Sequence, residues 1–161
     1  MRIDATKLTA IESMVGEDDQ ETEEFHALYA QAAKFLESFR WCAKINTSHF
    51  GLGVANIVAV FLFEIVPRSS SVDSFLWVVV GDLPPAYLVT DSAPNAACAL
   101  NEYIVEMRKW VDAVSTGAPT TDLIPVNVPP TIENARNLEL RLEYLSEEIL
   151  ADYQEDLAAC Q

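Results

Sequence analysis

The chain has 161 residues, half of them hydrophobic, with 25 acidic against 10 basic residues and a formal charge of −15 at pH 7. That apolar share excludes a wholly disordered chain, and the length suits one domain, 1–161, that buries roughly two-thirds of its unfolded surface. The charge excludes nucleic acid as a partner, because phosphate contact needs clustered Lys and Arg, and it excludes anionic membrane surfaces for the same reason.

Residues 1–17 are expected to be weakly ordered. Thr9 and Glu12 have capping-box spacing around the short apolar pattern Ile11, Met14, Val15, and Gly16 ends it, so a helical turn or two is expected. The start Met1-Arg2-Ile3-Asp4-Ala5-Thr6-Lys7 has no apolar core after its basic residue, so no signal peptide is expected. The acidic run 17–24 then leads into a helix whose stripe is Phe25, Leu28, Tyr29, Ala32, Phe35, Leu36 and Phe39. These spacings of three and four mark one buried face, and acids in a first turn suit the positive end of the helix dipole.

Residues 41–49 read as a connection. Residues 57–66 are continuous in their hydrophobicity, which suits a strand covered on both faces or central in its sheet, and the first long strand begins at Phe50. Gly51 and Gly53 lie within it, and glycines in a strand often mark a close backbone approach. The Gly-x-Gly pattern lacks a third glycine and a following helix, so it is not a phosphate loop. Asn56 and Glu64 disfavour a membrane span, which needs about 20 apolar residues. Glu64 is expected at the strand end, facing water. After the polar loop 68–73, residues 75–80 form a strand, residues 81–85 turn the chain, and residues 86–89 pair back. Pro84-Pro85-Ala86-Tyr87 matches a form read by proline-binding domains, but it is wedged between two strands rather than free and extended.

A second long helix starts at Ser92 or Asn95, buries Ala97, Leu100, Tyr103, Ile104, Met107, Val111 and Val114, and stops at Gly117. The loop 116–130 carries Pro119, Pro125, Pro129 and Pro130, so its apolar part, 123–128, can be an edge segment at best. Thr131 opens the last helix, with the stripe Ala135, Leu138, Leu142, Leu145 and Ile149 and with Leu140 and Tyr144 beside it. Between Glu133 and Asp156 stand eight acids against Arg136 and Arg141 alone, so the opposite face is negative. The stripe is expected to pack on the chain's own sheet or first helix, and the same pattern would serve a homodimer seam.

Strands clustered in mid-sequence between helical segments give an α+β fold. The expectation is a small antiparallel sheet of three to four strands covered by about three main helices. The three cysteines, Cys42, Cys98 and Cys160, are odd in number and form no C-x-x-C pair. Reduced thiols and a cytoplasmic location follow as expectations.

Catalytic signatures are sparse. The two histidines are His26 and His49, and no nucleophile, base and orienting group stand together. Cys42 and His49 are near in sequence, but Cys42 beside Trp41 reads as a small apolar residue. Cys and His are too scattered for zinc, which needs about four ligands at short spacing, and neither metal nor cofactor is expected. Loops at strand ends often carry function, which brings out Trp41, His49, Asp82, Tyr87 and Asp91 as binding candidates. Asp82 and Asp91 flank the 81–89 hairpin, where turn and cap roles also suit them. The expected function is an acidic binding protein, an inhibitor or immunity-type protein for a basic protein partner. The alternative is a small hydrolase with a pocket near those five residues.

Overall fold

In the computed structural model, which describes residues 3–160, the apolar middle of the chain is an antiparallel meander. Its strands are β1 (Thr9–Ala10), β2 (Cys42–Val54), β3 (Val58–Pro67), β4 (Phe75–Gly81) and β5 (Ala86–Val89), paired in the order β1-β2-β3-β4-β5. The fold is α+β as expected, but the sheet has five strands rather than three to four. The extra strands come from residues that carry little apolar signal. β1 is only two residues long and pairs with His49 and Phe50.

The apolar run 50–66 is a hairpin, the end of β2 turning into β3. Its turn is closed by the Ile57 amide, which donates to the Val54 carbonyl at 3.0 Å. Asn56 takes the left-handed conformation there, with φ 64°, which asparagine tolerates better than most residues. The expected connection 41–49 is the first half of β2. That half lies at the sheet margin, so Lys44, Asn46 and Thr47 are exposed and the strand needs no apolar run. Register shifts at Cys42/Lys44 and Ile45/Thr47 bulge this margin, a device that blunts an open edge.

β3 faces protein on both sides. Val58, Val60 and Leu62 enter one core with Trp77 and Val79 of β4. Ala59, Phe61, Phe63 and Ile65 enter a second core with Leu76, Val78 and Val80. The first helix, α1 (Asp19–Glu37), covers the second core with Phe25, Leu28, Ala32 and Leu36. The next, α2 (Ala96–Thr116), covers the first. Its approach is close: a Cβ on Gly51 would lie 2.5 Å from the Ala96 Cβ, so the glycine is needed there. The third helix, α3 (Ile132–Tyr144), packs on α2 rather than on α1, and its stripe Ala135, Leu138, Leu142, Leu145 and Ile149 is buried within the chain's own core.

The helix starts are capped by side chains. Asp18 accepts from the Glu21 amide at 2.8 Å, Asn95 from Cys98 at 2.9 Å and Thr131 from Asn134 at 3.1 Å. Gly117, at φ 76°, ends α2. Beyond Tyr144 the last helix does not run on regularly. It widens to a π turn over Leu145–Ile149, tightens over Leu150–Tyr153 and finishes in α4 (Gln154–Leu157).

This change of course brings the chain end back to the start of α2, where Cys98 and Cys160 form a disulfide. The expectation of three reduced thiols is therefore corrected, and only Cys42 is free and buried. Neighbouring bonds hold the same corner. Asn95 Nδ2 donates to the Asp156 carbonyl at 3.0 Å, and Lys7 Nζ pairs with Asp156 Oδ1 at 3.0 Å. Among the described residues, no helix is long and apolar enough to cross a membrane.

Two outcomes follow from this packing. Leu62 is 4% exposed in the central strand, and Leu62→Ala is expected to cost about 2–5 kcal/mol in a denaturant titration; a loss under about 1 kcal/mol would show that the site is not core. Thiol titration in denaturant should find one reactive thiol without reductant and three after reduction, in line with the one bond and one free cysteine. Cys160→Ser opens a cross-link between residues 62 apart and is expected to lower stability by about 2–4 kcal/mol.

Candidate functional site

The five residues singled out by sequence are only partly gathered. Trp41 and Tyr87 meet, with ring centroids 5.0 Å apart. Phe39 completes the group at 4.8 Å from Trp41 and 5.2 Å from Tyr87. A triangle this tight leaves no opening for a cation between the rings. His49 lies elsewhere, on β2 between Ala10 of β1 and Leu62 of β3. Asp91 is exposed in the loop after β5. Each main cleft of the described residues is lined by at most one of the five. The imagined Cys42–His49 pair does not form either. Both residues lie on the extended strand β2, and seven residues of strand separate them by about 20 Å.

What the fold does build is a fixed turn between β4 and β5, and three clefts around it. Gly81 stands at φ 144° against the Ile57 carbonyl, a conformation and a space that only glycine fits. The Asp82 amide donates to that same carbonyl at 3.0 Å. From α3, Arg141 Nε donates to the Asp82 carbonyl at 2.7 Å, while its terminal nitrogen meets Asp82 Oδ2 at 3.3 Å. From α2, the Tyr103 hydroxyl donates to the Pro84 carbonyl at 2.6 Å. Three distant segments thus pin one four-residue turn, 82–85, and the glycine before it. The partners Ile57, Tyr103 and Arg141 were not among the residues singled out, and nothing local in the sequence ties them to Asp82 or Pro84.

On the α1 side lies an apolar cleft of about 420 Å³, between Phe35, Phe39, Pro85 and Tyr87 and the loop residues Ile124, Pro125 and Val126. The loop 123–128 runs beside β5 without joining the sheet. Asn127 also lines a polar cleft of about 380 Å³, where Asn134, Asn137, Arg141 and Asp82 converge. Asp82, Leu83 and Arg141 in turn line a third cleft of about 270 Å³, otherwise walled by Ile57, Leu140 and Tyr144. The only charged residues lining these clefts are Asp82 and Arg141, and they are paired with each other. Such surfaces can grip a chain or a ligand; their one carboxylate, Asp82, is tied to Arg141, and no His, Cys, Ser or Lys lines them. Among the described residues, no group of three or more His, Cys, Asp or Glu side chains is arranged to hold a metal.

No known family model matches this chain, and no curated protein or solved structure is detectably similar to it.

Tyr103 gives the turn a pH signature. Burial pushes its phenol far above the ordinary value of 10.0, so it stays neutral in the fold while the unfolded chain ionises above about pH 10. Its contribution to stability is therefore complete below that pH and declines as pH rises above it. Tyr153, half-buried near Asp156 and Asp152, is pushed up as well, chiefly by burial. Urea midpoints measured from about pH 8 to pH 12 should fall more gently in Tyr103→Phe than in the wild type. At neutral pH the same variant should lose about 1 kcal/mol through the missing hydrogen bond to Pro84. Identical pH profiles would show that the hydroxyl is not sequestered.

Proposed function

We propose that this is a non-enzymatic binding protein whose partner is a basic protein, acting as inhibitors and immunity-type proteins do. One observation carries the reading: of the 25 acidic side chains, none is buried, and four are ion-paired among the described residues. An exposed surplus of one sign steers an oppositely charged partner toward the surface. The alternative, a small hydrolase acting through Trp41, His49, Asp82, Tyr87 and Asp91, has less to support it, since no main cleft holds more than one of them. The cytoplasmic location expected from the cysteine count loses that support with the Cys98–Cys160 bond, because oxidising compartments are where such bonds persist.

The test is titration of the purified protein with the basic proteins encoded beside its own gene, at low and at physiological salt. A complex is expected whose association slows by about tenfold or more as salt rises. A complex formed equally well at both salt levels would count against a charge-driven partner.

A further inference from the structure

The outer side of α3 carries a feature that folding leaves uncovered. Leu140 is 66% exposed and Tyr144 45% exposed, four residues apart on one helix, so their side chains are neighbours. Across from them stand Ile57 and Leu83, both half-buried, and the four enclose the cleft of about 270 Å³ beside the β4–β5 turn. Immediately after Tyr144 the helix widens into the π turn Leu145–Ile149, an irregularity that helices often carry at functional positions. Scattered exposed apolar residues need no explanation, but adjacent ones that wall a cleft mark an interaction surface.

The charges around the cleft select its occupant. Glu143, Glu147 and Glu148 are exposed beside Leu140 and Tyr144, against one exposed base on that side, Arg136, four residues before Leu140. Arg141, the base within the cleft lining, is engaged by Asp82. A second copy would bring another set of these acids against the first, each chain carrying a formal charge of −15, and like charges facing each other across an interface oppose association. An anionic membrane meets the same repulsion. A helix with apolar residues at spacings of three and four, flanked by Lys or Arg, would fill the cleft and meet the acids together. We infer that the Ile57–Leu83–Leu140–Tyr144 cleft is the docking surface for a basic amphipathic helix of the partner protein. This inference rests on the reading of the protein as a binder of basic partners, and it names the surface and the partner element.

The experiment uses the full chain and two synthetic peptides of about 18 residues, five helical turns. Both contain the same number of Leu and Lys, arranged in one as an amphipathic helix and in the other scrambled so that no apolar face exists. Binding is measured calorimetrically at low and at physiological salt for the wild type and for Leu140→Ser/Tyr144→Ser, whose unchanged fold is checked by circular dichroism. The substituted side chains are exposed, so the variant should fold. The wild type is expected to prefer the amphipathic peptide by roughly tenfold or more, and the double variant to bring the two peptides to parity. A variant that keeps the full preference overturns the docking surface while leaving the charge-based reading intact. Failure of both peptides to bind the wild type at low salt overturns the charge-based reading and this inference with it. Sedimentation showing a dimer that the double variant abolishes would make a second copy the occupant and also overturn it.

Discussion

Everything else in the structure depends on the fact that β3 is apolar on both faces. A strand with Phe61, Phe63 and Ile65 on one side and Val60 and Leu62 on the other cannot leave either side wet. The coefficient of about 25 cal/mol per Å² of buried apolar surface makes each uncovered aromatic or aliphatic side chain costly. The sheet must therefore be a middle layer, with α1 on one side and the α2–α3 pair on the other. The pair is needed because α2 is itself apolar well beyond the stripe that meets the sheet. Eleven of its residues are buried, and α3 covers the part that the sheet does not.

Much of this layering is written in local patterns. Most of the α1 and α2 stripes, the stop at Gly117 and the double-sided burial of β3 follow from spacing and residue type, whereas spacing left the α2 cap open between Ser92 and Asn95 and carried the α1 stripe to Phe39, past the helix end at Glu37. The misses share a different physics. Asn56 turns the chain between two apolar stretches, and only its tolerance of positive φ distinguishes the site from a strand interior. The outer half of β2 is polar because one side and one edge face water, so composition gives no strand signal there. β1 owes its state entirely to pairing with His49 and Phe50. The Cys98–Cys160 bond joins residues 62 apart that meet only after three layers and a tightened chain end have formed. Cysteine counting has no access to that.

The candidate site was legible to the same extent. Asp82 and Tyr87 stand out because they flank a Pro-Pro turn, and Trp41 joins Tyr87 because β5 and the end of α1 face the same core. The residues that fix the turn could not be found this way. Tyr103 reads as one more core residue of α2, and Arg141 as one of two bases on an acidic helix, until their polar ends are seen to converge on the carbonyls of Pro84 and Asp82. The turn is therefore a product of tertiary structure. Its position reports on whether α2, α3 and the hairpin are all docked, and a partner held against it would stabilise that assembled state by mass action.

The charge completes the argument because folding does not explain it. A few acids have structural tasks: Asp18 caps α1, Asp82 receives Arg141, and Asp156 receives Lys7. Glu143, Glu147, Glu148 and Asp152 cluster on the exposed side of the last helical segment, where like neighbours at spacings of three and four oppose helix formation. The segment keeps its helical course through the buried Leu142, Leu145 and Ile149 and through the disulfide at its far end. Stability is thus drawn from one face and from the cross-link while the other face is left repulsive. An arrangement that weakens the isolated fold would gain its rationale under the proposed reading, in which a positive partner would cover it and the carboxylates that repel one another in the free protein would attract that partner.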